Sequence, residues 1–141
     1  MAEKLGLEEA RAAVEAVFKA ASAKNLRYGA AVVDSGGELV YLARMDGAGP
    51  ITARMSSNKA YTSAKWRADT KMLKDRLFDM GLGNERREML WFGDLRFTPV
   101  WGGVVLRSKD GTVLGAIGTS GGSYVDDEEL GQAGAKAFSE L

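Results

Sequence analysis

The chain has 141 residues, 45% of them hydrophobic, which suits one compact domain spanning residues 1–141. Nineteen basic and nineteen acidic side chains balance, so no overall charge attracts nucleic acid, an acidic partner or an anionic membrane surface. Cysteine and histidine are absent, which excludes disulfides, thiolate chemistry, the usual imidazole base and histidine-ligated metal. The sequence shows no apolar signal segment and no run of roughly 20 apolar residues, which predicts a cytoplasmic protein without a membrane partner.

The first part of the chain predicts one helix followed by a hairpin. Apolar residues recur there at three- and four-residue steps, a spacing typical of an amphipathic helix: Leu7, Ala10, Val14, Val17 and Ala21. The segments RYGAAVVD and LVYLARM are rich in β-branched and apolar residues and are joined by SGGE. That glycine-containing connection predicts two antiparallel strands.

The rest of the chain predicts further helices and a second hairpin. Residues 51–79 are rich in Ala, Lys, Arg and Met, which predicts helical segments broken near Asp69 and Thr70, with the threonine capping the second segment. The segment GGVVLRSKDGTVLGAIGTS predicts a hairpin. The tail predicts a last helix, and Ser123 and Asp126 have the spacing of a capping box. Because tight hairpins require antiparallel neighbours, the predicted class is α+β, with helices covering an antiparallel sheet.

Several dispersed motifs resemble one known family, and they occur in its order. They are AAVVDSGGELVYLARMDGA, the helix with Asn58-Lys59-Ala60, the pair Gly102-Gly103, and DGTVLGAIGTSGGSYVDDEELGQAGAKA. On these motifs the sequence is identified as a member of the GlcG/HbpS-like family, also described as haem-degrading-like or PduO C-terminal-domain-like. The resemblance implies a profilin-like three-layer fold, with a five-stranded antiparallel sheet flanked by helices, and a homo-oligomer that is a dimer or larger. Because the family includes haem-binding and corrinoid-associated proteins, haem and corrinoid stay open as cofactors.

Three charged residues in and after RMDGA indicate an anion-binding site. In the family resemblance this strand end lies beside the helix that carries NKA, which brings Arg44, Asp46 and Lys59 towards one cleft. Arg44 then offers a planar fork of donors, and Lys59 a second cation, to a ligand that bears a carboxylate, while Asp46 orients Arg44. The alternative is structural: Arg44 and Asp46 pair to lock the loop, and Lys59 is an ordinary exposed lysine.

Two motifs resemble catalytic signatures but lack their partners. Residues 118–122 match G-x-S-x-G, yet the chain has no histidine to serve as the base. Ser120 is therefore interpreted as part of an anion-binding turn near a helix start. Ser56 and Lys59 match S-x-x-K, and the motifs that accompany it in hydrolases are missing.

Charged and aromatic clusters allow a structural and a functional interpretation. The acidic run at residues 126–129 favours a helix start over a metal site, and the basic residues between 65 and 76 are offset by acids, which favours a solvated face. Aromatic residues before Gly102-Gly103 serve either as core and subunit interface or as a flat ligand wall. Trp91 and Trp101 are the candidates for that wall.

These features favour an oligomeric protein that binds a small anionic organic ligand or cofactor. The predicted ligand contacts are Arg44, Asp46, Lys59, Trp91, Trp101, Gly102, Gly103 and Ser120. Haem would need a ligand other than histidine, for which Met45, Met55, Met89 and Tyr124 are available. The alternative is a cofactor-independent isomerase, tautomerase or hydrolase acting on an organic-acid catabolite, with Lys59 or Asp46 moving protons. A third alternative is a structural or sensory partner protein without a ligand.

Overall fold

The structure, a computed structural model, describes residues 2–79 and 92–141. Four helices and four strands follow one another in the order helix, two strands, two helices, two strands, helix. They are α1 (Leu7–Ala23), β1 (Gly29–Asp34), β2 (Leu39–Arg44), α2 (Thr52–Trp66), α3 (Thr70–Asp79), β3 (Gly103–Arg107), β4 (Val113–Ser120) and α4 (Tyr124–Ser139). This is the α+β arrangement that the two predicted hairpins require. No helix in the described ranges is long and apolar enough to cross a membrane.

The strands form one antiparallel sheet in the order β2-β1-β4-β3. The predicted five strands are wrong for the described part of the chain, where the sheet has four. The two hairpins supply these four, while the described residues before β3 form turns and loops held to α2, in part by the Thr98 N–H bond to Thr62 Oγ1. The finer assignment to the profilin-like folds stays a prediction.

Helices cover both faces of the sheet. Alanine, valine and leucine side chains of α1 and α4 pack against Ala30, Val32 and Ile117 on one face. On the other face, Ala60 and Ala64 of α2 form a smaller cluster with the sheet. Small residues dominate that contact, so α2 lies very close to the strands.

Glycines in the sheet permit this close approach. A Cβ atom at Gly118 would lie 2.0 Å from the Ser56 carbonyl oxygen, and one at Gly103 would lie 2.5 Å from the Lys59 carbonyl oxygen. Both distances are shorter than atomic contact, so any side chain there would push α2 away. The glycines therefore set the depth at which Lys59 enters the fold.

Two of the predicted caps can be compared with the structure. Ser123 and Asp126 form the predicted capping box at the start of α4. Thr70 does begin α3, but its hydroxyl accepts the Gly103 N–H at 2.9 Å instead of capping the helix. The threonine thus joins α3 to the first residue of β3.

Candidate functional site at one end of the sheet

Most of the predicted site residues lie at one end of the sheet, where β2 and β4 end and β3 begins. The register pairs Gly29 with Arg44 on one side and with Ser120 on the other. Residues paired in this way point to the same face, which at Gly29 is the face covered by Thr52 of α2. With strands roughly 4.8 Å apart, the Arg44 and Ser120 Cα atoms are about 10 Å apart.

Lys59 lies in a buried hydrogen-bonded network. Its side chain is 1% exposed, and its Nζ donates to the Thr119 carbonyl oxygen and to Asp127 Oδ2, both at 2.8 Å. Asp127 Oδ1 accepts the Tyr28 hydroxyl at 2.6 Å and the Gly122 N–H at 3.2 Å. A charge pair desolvated to this degree is retained only where its remaining hydrogen-bonding groups are satisfied. Here Asp127 accepts three donors.

The Lys59–Asp127 pair links the two helical layers through the sheet. Lys59 belongs to α2 on one face, and Asp127 belongs to α4, which packs on the other. Gly102 lies between them with a φ of +122°, and a Cβ there would lie 2.8 Å from the Thr119 carbonyl oxygen and 3.1 Å from Lys59 Nζ. A residue without a side chain is therefore needed where the pair forms.

Burial controls the protonation of this network. Desolvation lowers the pKa of Lys59, while the adjacent Asp127 carboxylate opposes that shift. Desolvation raises the pKa of Tyr28, and its hydrogen bond to Asp127 raises it further. Tyr28 is therefore a protonated donor at neutral pH, and we assign Lys59 as the ammonium paired with Asp127.

The sequence interpretation overlooked Asp127, although a signal for it exists. The sequence analysis assigns the acidic run at residues 126–129 to the helix start, which is correct for Asp126. Asp127, however, falls on the buried stripe of α4 together with Leu130, Gly131 and Phe138. An acid on an apolar stripe requires a buried partner. Its spacing from Leu130 and Gly131 could have indicated one.

Arg44 and Asp46 are exposed where β2 ends, and the structure contains no ion pair between them. Met45, between them, turns inward, and its sulfur accepts the Tyr28 N–H at 3.3 Å. Neither Arg44 nor Asp46 contacts the buried Lys59 ammonium within the single chain. The two exposed charges and the buried one thus share an end of the sheet but differ in depth.

Trp101 lies beside the buried network in an aromatic and cationic cluster. Its ring meets that of Tyr124 edge-on, with centroids 4.8 Å apart, and Tyr124 is 57% exposed. The Lys71 ammonium lies 4.7 Å from the Trp101 centroid, and the Lys74 ammonium lies 5.9 Å from the Tyr124 centroid. We call these four residues the aromatic-lysine surface. Trp91, the other residue of the predicted wall, lies outside the described residues. Met89, one of the candidate haem ligands, lies outside them as well.

An open groove of about 580 Å³ adjoins this surface between α3 and α4. Lys71 lines it, and Met72 supplies an exposed apolar side chain. Asp69 and Glu128, also in the groove, both accept hydrogen bonds from Gln132. In the described ranges no cluster of acidic side chains has the arrangement needed to hold a metal ion.

A second group of aromatic side chains, Tyr61, Trp66, Phe92 and Phe97, packs together on the α2 side of the sheet. Trp66 meets Phe92 and Phe97 edge-on, with centroids 5.0 and 5.8 Å apart, and Tyr61 stacks on Phe97 at 5.6 Å. These contacts attach the loop after residue 91 to α2. Their packing agrees with the structural interpretation of Phe92 and Phe97, although Phe92 is 54% exposed.

Residues 5–136 match the protein family described as haem degrading protein HbpS-like, and the chain belongs to that family. It is 34% identical over 116 residues to an uncharacterized 15.0 kDa protein from the dhaT-dhaS intergenic region of Citrobacter freundii, covering 78% of this chain and 75% of that protein. It is equally similar to protein GlcG of Escherichia coli K12, also 34% over 116 residues, covering 82% of this chain and 81% of GlcG.

Two solved structures have the same fold. The Klebsiella pneumoniae protein ORFY superposes with a TM-score of 0.81 at 27% identity, covering all of this chain and 94% of ORFY. The haem complex of PduOC gives a TM-score of 0.83 at 22% identity, covering 95% of this chain and 94% of that protein. At this identity the second comparison concerns the fold alone.

Proposed function

We propose that this protein is an oligomeric binding protein for a small anionic organic ligand, held at the end of the sheet where β3 and α4 begin. The observation that carries the proposal is the aromatic-lysine surface, in which the Lys71 ammonium lies over the Trp101 ring and the Lys74 ammonium lies over the exposed Tyr124 ring. Support comes also from the family, whose description names haem. Haem and corrinoid stay open as the ligand.

The chemistry of this surface suits an anion with a flat apolar part. An aromatic ring offers a large, rigid contact area, and a lysine ammonium above it keeps donors for a ligand carboxylate. The adjoining groove of about 580 Å³ lies within the volume range of pockets for small organic ligands. The charged side chains that line the groove are Lys71, Arg76, Asp69, Asp75 and Glu128. We assign the anionic part of the ligand to the end where the Lys71 ammonium lies over Trp101.

The predicted contacts of Arg44, Asp46 and Ser120 remain part of this proposal. Arg44 is exposed at the same end of the sheet, two strands away from Ser120, and can reach a ligand that extends along this end. Lys59 is placed differently, because its ammonium is already bonded to Asp127 and Thr119. We infer that Lys59 supports the site by holding Gly102, beside Trp101, against the start of α4.

A homo-oligomer would complete this binding protein. Large apolar side chains are exposed at several places on the described surface, among them Leu7, Ile51 and Val125. Exposed apolar side chains of this size suit contact with a second copy. Val125 follows Tyr124 directly, so a partner seated there would also narrow the proposed site.

The test is a titration with haem and with iron-free protoporphyrin, which presents the same carboxylates and plane without the metal. Lys71→Gln and Lys74→Gln should each weaken binding of both by about 5- to 100-fold, the range for one charge-assisted contact. Lys65→Gln is the matched control, since Lys65 lies 5.6 Å from the Tyr61 ring, away from this surface. Haem bound to the wild type should lack the absorption spectrum of histidine ligation.

Unchanged binding in both Lys71 and Lys74 variants would refute this location of the site. Equal losses in the Lys65 control would point to nonspecific attraction. A third outcome is that haem binds tightly, protoporphyrin does not bind, and haem binding disappears when Tyr124 or Met55 is replaced. This outcome would make iron coordination the basis of recognition.

One observation favours the second candidate, a cofactor-independent isomerase, tautomerase or hydrolase. Burial lowers the pKa of Lys59, which is how proteins prepare a lysine for proton transfer. Turnover of an organic acid that is abolished in Lys59→Met, while ligand binding persists, would support this candidate. Turnover that persists in that variant would exclude Lys59 as the proton-transfer group.

A further inference from the structure

A separate cleft lies between the first hairpin and α2, at the opposite end of β2 from Arg44. Its volume is about 180 Å³, and it is lined by Glu38 and Leu39 of the hairpin, by Ser57 and Asn58 of α2, and by Arg96. This space has room for roughly six water-sized groups. The cleft therefore suits a molecule of about six non-hydrogen atoms, much smaller than a tetrapyrrole.

Hydrogen bonds and a stacking contact orient the Arg96 guanidinium at this cleft, and 59% of the side chain is exposed. Its Nε and one terminal nitrogen donate to the Asp94 carboxylate at 3.1 Å each, and that terminal nitrogen also donates to the Tyr61 hydroxyl at 2.7 Å. The guanidinium carbon lies 3.8 Å from the centroid of the Tyr61 ring. The other terminal nitrogen has no hydrogen bond to any described residue. Arg96 is thus a preorganised cation that retains a donor.

The cleft also contains an opposite charge. The Glu38 carboxylate is exposed and forms no ion pair with Arg96. The pKa of Arg96 is raised chiefly by its hydrogen bond to Asp94, and Glu38 contributes as well, which indicates that the two charges act on each other across the cleft. The formal charges of Arg96, Asp94, Glu38 and the neighbouring Lys65 sum to zero, so the cleft does not favour a dianion.

We infer that this cleft binds a small 2-amino acid in its zwitterionic form. The ligand carboxylate accepts from Arg96 and from the Asn58 amide, while its ammonium donates to Glu38. A short side chain, such as the methyl group of alanine, meets Leu39 and Val33, which also lines the cleft. The inference is independent of the proposed anion site, because the two share no residue.

The test measures binding of L-alanine, lactate and propionate by chemical shifts of the labelled protein at neutral pH. Alanine should bind with a dissociation constant in the millimolar range, as expected for a few charge-assisted bonds made by a ligand of six heavy atoms. Lactate replaces the ammonium by a hydroxyl, and propionate lacks a donor there. Both should bind at least tenfold more weakly.

Glu38→Gln is the decisive variant, since the exposed side chain can change without disturbing the core. This variant should bind alanine at least tenfold more weakly than the wild type and should bind propionate with unchanged affinity. Glu15→Gln, an exposed acid on α1, is the matched control and should change neither. Equal binding of alanine and propionate to the wild type, absence of alanine binding at 50 mM (about fifty times a millimolar dissociation constant), or an equal effect of the Glu15 variant would each overturn the inference.

Discussion

Replacing Lys59 by methionine tests the buried network most directly. Methionine keeps an unbranched side chain of similar length but removes the ammonium, leaving Asp127 Oδ2 and the Thr119 carbonyl without their donor. Breaking a buried ion pair by removing one partner costs about 3–5 kcal/mol. Asp127 retains the Tyr28 hydroxyl and the Gly122 N–H, so we expect the lower part of this range, about 3 kcal/mol.

Urea unfolding at fixed protein concentration measures this cost, because the change in stability follows from the midpoint and slope of the transition. Lys65→Met is the control, since an exposed lysine should change stability by no more than about 0.5 kcal/mol. Adding Asp127→Asn to Lys59→Met removes the unpaired charge and keeps an acceptor for Tyr28. This double variant should recover about 1–2 kcal/mol of the loss.

The refuting result is equally specific. If Lys59→Met costs less than about 1 kcal/mol, the ammonium is not paired in the interior and behaves as a surface lysine. Lack of recovery in the double variant would mean that the unpaired Asp127 charge is not the cause of the loss. In that case the packing of the lysine stem, rather than its charge, would explain the destabilisation.

Four further results are expected. Gly102→Ala should cost about 1–3 kcal/mol in the same assay, because a Cβ there would lie 2.8 Å from the Thr119 carbonyl oxygen. Gly111→Ala, at a φ that is also positive but with open space around it, should cost less. The hydrogen bond from Arg96 holds the pKa of Asp94 at about 2, below its ordinary value of 3.8. The stabilisation that the Asp94 carboxylate contributes is therefore complete above pH 3.8 and is lost as the pH falls towards 2. Asp94→Asn should flatten this part of the acid unfolding curve. Arg44→Ala should weaken protoporphyrin binding about tenfold with little change in stability, and an unaltered affinity would remove Arg44 from the site. Light scattering at micromolar concentration should give a mass above the 15.1 kDa of one chain, and a monomer would contradict the proposed assembly.

Local features of the fold could be predicted from neighbouring residues. The first amphipathic stripe became α1, and both glycine-containing connections became hairpin turns. The Ser123–Asp126 capping box was also predictable, because its partners are three residues apart. The five-stranded sheet was instead expected from the family resemblance alone. The sequence pattern predicts two hairpins, and these supply the four strands in the described part of the chain.

The candidate site, too, could be predicted from the sequence only in part. Charge type and motif spacing singled out Arg44, Lys59 and Gly102. They could not indicate how deeply each side chain is buried, because a lysine in the sequence does not show whether it will be exposed or buried. The Lys59–Asp127 pair joins residues 68 positions apart, on helices that cover opposite faces of the sheet. By itself the sequence determined which segments form helices and hairpins and which charges are available, because these depend on local spacing. Only the tertiary structure decided that Lys59 is buried with Asp127 while Arg44 stays exposed, because the close approach of α2 to the glycines of the sheet sets those depths.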